Sequence, residues 1–442
     1  MQNNSLYLDY AATAPISSII QRNMYDSFDY FGNPATFYKE GETAYQALTQ
    51  GKLNILTNLG HDTNIWDMIF TSGATESINT VFACYKPDIV FTTDTEHEAT
   101  VENLKDLNVI NIPIDIDNYY SEELNEKELD KIIKNLKVRK TNNMKILISV
   151  IGVNNETGII FHTEYFDKIK TAIRKRYSNA EILIHVDFTQ GFCKVPFDMS
   201  EVDCYSFSGH KIGFFKGFGG LVFKKETFGN YLKENPFIKG GGQQNKLRSG
   251  TENAQFVYLF DKLVEDHMKN LDERYIKAKM IREAFCLGIR SVLDNIKLGY
   301  RISSYDFNET PRGLEGINNL IRLSPYIIRL SFNNIEGESI VSALAEENIS
   351  ISTGSACSSD SLLGSKIIYN YFKNKEGCMC NENDLQRWAN GTIRISFDHT
   401  LTIDQISEFL SKFKKVIELL IRTSAPYKPW YEEINEIKLD EE

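Results

Sequence analysis

Two patterns predict an α/β protein in which a largely parallel sheet flanked by helices is followed by a smaller α+β unit. Through roughly the first 250 residues, short β-branched runs at Asp67–Phe70, Asp88–Phe91, Lys145–Val150 and Glu181–Val186 alternate with amphipathic stretches. Parallel neighbours need a crossover between them, and a helix is the usual crossover, so this alternation reads as repeated strand–helix units. After about Asn253 the pattern changes to a long helical stretch, Gln255–Leu293. Apolar strands at Ile327–Phe332 and Thr392–Phe397 then lie among helices at Gly337–Glu347 and Ile403–Leu420. The expected division is a large domain over 14–253 and a small one built from 1–13 and 254–442. Within the first unit, Thr163 is the expected N-cap of a helix over Glu164–Tyr177. No internal repeat is found, and the longest biased tract is the acidic end, Glu432–Glu442.

The composition narrows the function classes. With 442 residues, 42% hydrophobic and 25% charged, the chain is long enough to bury a substantial core. A formal net charge of −11 argues against a direct nucleic-acid or anionic-membrane partner, since those need a basic face. The first residues, Met1–Asp9, carry neither a basic start nor an apolar run of signal-peptide length, and no uninterrupted apolar run of about 18 residues occurs. The expectation is a cytoplasmic protein that does not enter a membrane. Seven cysteines, an odd number in a long chain, fit reduced thiols better than a disulfide framework.

The segment richest in chemistry is Ser206-Phe207-Ser208-Gly209-His210-Lys211, followed by the glycine-rich run from Gly213 to Gly220. A lysine on a turn between strands, beside small hydroxyl residues, suits Schiff-base formation, because the backbone approaches a cofactor closely there and nearby donors can hold its phosphate. A surface lysine in a glycine-rich hairpin would look the same. Twenty-four positions earlier, Asp187 ends the apolar run His185-Val186-Asp187. A carboxylate so placed can hold a protonated pyridine nitrogen, although by itself it also reads as a strand-end cap. Upstream, Thr71-Ser72-Gly73-Ala74-Thr75-Glu76 runs from a strand into a helix. The Ala74 and Thr75 turn would present N–H groups, the positive helix end and a hydroxyl to an anion.

With these segments in place, the chain resembles the cysteine desulfurases, class-V aminotransferase relatives of pyridoxal-phosphate fold-type I, and in particular their long-loop NifS and IscS group. The resemblance runs nearly end to end and in order: Leu8–Pro15, Gly32–Ala35, the Thr75 segment, Thr95-Glu96-His97, Val153–Gly158, the Asp187 and Lys211 segments, Arg248–Thr251, Thr353–Cys357 and Ile393-Arg394. It implies a large domain with a seven-stranded, mostly parallel sheet, a small α+β C-terminal domain, and pyridoxal 5'-phosphate on Lys211.

Further roles follow from the resemblance alone. His97 would stack on the ring and move protons, Asp187 would face its nitrogen, and Asn155 and Gln190 would sit near its phenolic oxygen. Thr75, Ser208 and His210, with Ala74, would hold the phosphate. Thr251 matches a residue that reaches the phosphate of a neighbouring subunit, which implies a homodimer. Arg394 and Asn33 match a clamp for the substrate carboxylate, a task that suits a planar, permanently charged guanidinium. No metal site is implied.

Cys357 lies among Gly354, Ser355, Ser358, Ser359 and Asp360, a small polar stretch that predicts an exposed mobile loop, about 353–391, rather than a core position. A thiol that attacks a bound substrate and then hands sulfur on needs such a loop. The implied reaction converts L-cysteine to L-alanine, leaves a persulfide on Cys357, and supplies an acceptor such as an iron–sulfur scaffold or a tRNA-thiolation protein. Another fold-type I enzyme, a selenocysteine lyase or an aminotransferase, would share the lysine site; a non-catalytic sulfur carrier would have no need of it.

The chain also departs from its relatives. Thr36-Phe37-Tyr38-Lys39 stands where they carry a Ser-His pair, and extra sequence between Cys357 and Arg394 contains Cys378-Met379-Cys380, two thiols that make an incomplete metal site. The tail Tyr427–Tyr431 resembles one that relatives use to dock a scaffold protein, and it also reads as a solvating end.

Overall fold

The computed structural model describes residues 5–117, 121–137, 144–296, 298–303, 323–353, 365–373 and 382–423. Cys357, Cys378, Cys380 and the Tyr427–Tyr431 tail lie outside these residues.

Seven strands form the main sheet in the spatial order Trp66–Thr71, Gly219–Lys224, Cys204–Ser208, Glu181–Asp187, Lys145–Ile151, Ile89–Thr92, Asn108–Asn111. Gly219–Lys224 runs antiparallel to both of its neighbours, and the remaining pairs are parallel. This is the expected mostly parallel sheet. Its apolar runs lack polar alternation because both faces are covered. Ile146, Ile148 and Val150 enter one core while Leu147 enters the other, and Ile184 and Val186 likewise oppose Leu183. The period of two also decides where the chemistry falls. Asp187 shares a face with Leu183, and Ser208 shares one with Cys204; Leu183 and Cys204 pack in the same core as helix Ala74–Tyr85.

The strand Cys204–Ser208, which leads into the Lys211 turn, is fixed from its other face. Phe207 stacks on Phe192 with ring centroids 3.9 Å apart, and Phe260 of helix Ala254–Lys269 lies parallel to Phe207 at 5.6 Å. The helical stretch predicted over 255–293 is therefore two helices, Ala254–Lys269 and Leu271–Ile296, broken at Asn270. The first contributes Val257, Phe260 and Leu263 to the large core; the second contributes Phe285 and Ile289 to a separate core.

That separate core surrounds a small antiparallel sheet in the order Tyr300–Ile302, Ile327–Phe332, Thr392–Ser396, Ser352–Thr353. Leu6 and Leu8 also join it, because Leu6–Tyr7 pairs with Ile349–Ser350. One local expectation fails. Thr163 makes no side-chain cap to helix Glu164–Arg176, since its own backbone is already helical (φ −64°, ψ −26°) and not extended as a capping residue's is. Among the described residues no helix is long and apolar enough to cross a membrane.

Candidate active site

The strand Cys204–Ser208 ends in a single 3₁₀ turn, Gly209–Ile212, which carries Lys211. Gly213 closes the turn at φ 86°, and a β-carbon there would meet the Pro15 carbonyl oxygen at 2.9 Å, so glycine is required on both counts. The turn aims Lys211 at the amino-terminal segment, where Nζ donates to the carbonyls of Ala11 at 2.7 Å and Ala12 at 2.8 Å. Gln190 donates from Nε2 to the same Ala11 carbonyl at 2.9 Å.

Asp187 stands at the end of its strand in parallel register with Ser206 and Ile151. Thr189 donates to its Oδ1 from both the backbone nitrogen, at 3.1 Å, and the hydroxyl, at 2.5 Å, which fixes the carboxylate while Oδ2 keeps no partner among the described residues. Two residues earlier on the same face, His185 links Ser149 at 2.9 Å to Ser206 at 3.1 Å, and burial lowers it to about 3, so the ring is neutral at physiological pH. Glu96, also fully buried, accepts from the Thr93 hydroxyl at 2.6 Å and from the Ile151 backbone nitrogen at 3.0 Å. Burial, helped by the nearby Asp187, raises its carboxyl to about 8, so it is largely protonated at neutral pH and adds little negative charge beside Asp187.

At the opposite end, Gly73 takes φ 152° to begin helix Ala74–Tyr85, and the Ala74 N–H donates to the Ser208 hydroxyl at 2.8 Å. His210 hydrogen-bonds the Thr13 hydroxyl through Nδ1 at 3.2 Å; burial and the neighbouring lysines, Lys211 first, lower it to about 4. His97 caps helix Glu98–Val101 by accepting from the Ala99 nitrogen through Nδ1 at 3.1 Å, which places the proton of a neutral ring on Nε2.

Arg394 reaches these groups from the small sheet. It donates to the Asn155 carbonyl at 3.0 Å and to Asp9 at 2.9 Å, while its Nε is buried without a partner among the described residues. The Asn155 side-chain oxygen is likewise buried and has no partner among the described residues.

Lys211, Asp187, His97, Asn155, Gln190 and Arg394 line one cavity of about 220 Å³, and Ala74, Thr75, Ser208 and His210 line it as well. Ten of the residues singled out from sequence thus meet in one place. Asn33 and Thr251 do not: both are exposed and outside this lining, and the Asn33 side chain caps the Ala35 nitrogen at 3.0 Å. Sequence reasoning gave no role to Asp9, Ala11, Ala12, Glu96 or Glu156. The small-residue run Ala11-Ala12, where backbone is left uncovered, was the only local sign that carbonyls would act there.

The profile of the family Aminotransferase class-V matches residues 6–302. The cysteine desulfurase IscS of Dictyoglomus turgidum is 30% identical over 437 residues, which covers 96% of this chain and 97% of that protein. The cysteine desulfurase IscS of Buchnera aphidicola subsp. Schizaphis graminum is 30% identical, with 83% of each chain covered. Among solved structures, a NifS-like protein from Rickettsia africae superposes with a TM-score of 0.72 at 25% identity, over 94% of this chain and all of that one. The mostly parallel sheet, the lysine turn and these likenesses agree: the chain belongs to the aminotransferase class-V family of pyridoxal-phosphate enzymes, and within it to the cysteine desulfurases.

Proposed function

We propose that this chain, acting in the cytoplasm, uses pyridoxal phosphate held by Lys211 to convert L-cysteine to L-alanine and leaves the sulfur as a persulfide on Cys357. The observation that carries the reading is the convergence of Lys211, Asp187 and Arg394 on one cavity of about 220 Å³. The residues fit the cofactor. A helix start and the Ser208 hydroxyl form a cradle for its phosphate, Oδ2 of Asp187 is left for its ring nitrogen, and the orphaned Asn155 oxygen fits a polar ring substituent. When bound, the cofactor supplies a protonated ring that draws off the electrons left on a substrate α-carbon.

The chain's own groups do the rest. Arg394 holds the substrate carboxylate through its unpartnered Nε, with Asp9 and the Asn155 carbonyl fixing the guanidinium plane. Lys211 Nζ takes the α-proton. Cys357 lies four residues beyond Thr353 in sequence, and Thr353 follows Ser352, which is paired with Arg394. The Cys357 thiolate attacks the substrate sulfur; a sulfur–sulfur bond forms, the carbon–sulfur bond breaks, its electron pair stays on carbon, and that carbon takes up a proton. One thiol and one L-cysteine give one persulfide and one L-alanine, with no further oxidant.

A homodimer belongs to the same reading. What supports it is that Tyr25, Phe28, Phe31, Phe37, Tyr38 and Tyr45, six large apolar side chains within 21 residues, are exposed, and that Thr251 is exposed too. The same reading includes a division into a large domain, expected over 14–253, and a small one from 1–13 and 254–442, with helix Ala254–Lys269 packed in the large core instead. The acceptor is a sulfur-receiving protein of cluster assembly or tRNA thiolation.

The test is to incubate the purified protein with pyridoxal phosphate and L-cysteine and follow intact mass and alanine. A gain of one sulfur atom mapping to Cys357, with stoichiometric alanine, is expected; alanine without that sulfur, or keto-acid exchange in its place, overturns the reading.

A further inference from the structure

Helix Lys366–Lys373 meets both sides of the cavity's surroundings. At its start, the Ser365 hydroxyl donates to Glu156 Oε2 and accepts from the Ile368 nitrogen at 3.2 Å, so one side chain caps the helix and ties it to the turn holding Asn155. One turn on, Asn370 donates to the Asp94 carbonyl at 2.8 Å, three residues before His97. Both ties go to the large domain.

The third tie goes to the small sheet and is of another kind. Arg329 stands opposite Arg394 in the strand register, is 1% exposed, and among the described residues has no hydrogen-bond partner on any guanidinium nitrogen. A guanidinium stripped of water and of acceptors is costly unless something else receives it. Tyr371 does so: its ring centroid lies 4.1 Å from the guanidinium carbon, and that of Phe372 lies 5.2 Å away. Arg301, from the next strand, adds Trp388 of the following helix at 4.3 Å.

We propose that helix Lys366–Lys373 is a positioning element for sulfur transfer, pinned between the two cores by Ser365, Asn370 and Arg329 so that the chain eight residues beyond Cys357 is tethered at the cavity's edge. This rests on the reading of Cys357 as the sulfur acceptor. None of the three pinning residues lines the cavity, so binding of L-cysteine at Lys211 and Arg394 proceeds without them. Attack by Cys357 does not, because the tether sets how often the thiol meets the substrate sulfur.

The experiment compares holoenzyme carrying Ser365→Ala, Asn370→Ala or Arg329→Met with the parent. It measures the rate of the cofactor's absorbance change on adding L-cysteine, and separately the rate of alanine formation. Alanine formation is expected to fall about tenfold while the absorbance change stays within about twofold. Equal losses in both would mark a merely structural role, and no loss in either would mark no role; each overturns the proposal. Asn370→Ala removes a single half-buried bond, so it keeps the test decisive if Arg329→Met fails to fold. Full turnover by Cys357→Ser, run in parallel, removes the acceptor reading and the proposal with it.

Discussion

Arg394 donates from Nη2 to the carboxylate of Asp9 at 2.9 Å across 385 positions of sequence. Two and three residues beyond Asp9, the carbonyls of Ala11 and Ala12 accept from Lys211 Nζ. One short amino-terminal segment therefore holds both the arginine assigned to the substrate and the lysine assigned to the cofactor, the first reaching out from the small sheet and the second from the large one.

Removing the Asp9 charge is expected to weaken substrate binding more than chemistry. Asp9→Asn frees the guanidinium to rotate, and the KM for L-cysteine should rise about tenfold, equivalent to about 1.4 kcal/mol, with a smaller change in kcat. Arg394→Lys keeps the charge but loses the planar fork, so at least as large a rise is expected. Steady-state kinetics at fixed pH checks both.

Lys211→Ala should abolish the absorbance of lysine-linked cofactor and lower alanine formation by at least about a thousandfold, since both the anchor and the proton acceptor go together. An unchanged spectrum after dialysis against pyridoxal phosphate removes the assignment.

Cys357→Ser should retain the cofactor spectrum and its change on adding L-cysteine, while sulfur release to a thiol reductant falls at least about a hundredfold. Sulfide production at the parental rate would assign the attack to another group.

Glu96 gives a stability prediction with a definite sign. Burial raises its carboxyl from 4.5 to about 8, so its contribution is fully present below the ordinary glutamate value and is lost as pH rises through about 8. Glu96→Gln holds the neutral form at every pH. Relative to the parent it should gain stability from pH 5 to pH 8, on the order of 4 kcal/mol by the upper end, read from denaturant midpoints. The buried histidines His185 and His267, lowered to about 3 and about 4, act in the other direction, losing their contribution as pH falls below 6.5, and cancel in the comparison of the two proteins. A parallel pH dependence of parent and variant would mean that Glu96 is ionised when folded.

Local signals made much of this legible. The runs at Lys145–Val150 and Glu181–Val186 are strands because β-branched residues crowd a buried pleated surface, and Gly213 marks its turn because no other residue fits there. The Thr163 cap misled for a local reason as well: a threonine before a helix caps it only when its own backbone is extended.

What sequence alone determined was the set of short-range choices: which runs are strands, where the lysine turn lies, and that Asp187 ends a strand. What only the tertiary structure decided was who meets whom across long loops. Asp9 found Arg394, Ala11 found Lys211, helix Ala254–Lys269 joined the large core, and Arg329 was left to an aromatic face. Periodicity and turn chemistry are properties of neighbouring residues, so they can be read along the chain. Contacts such as these arise only when burial of two separate cores brings distant segments together, and nothing in the local sequence records that distance.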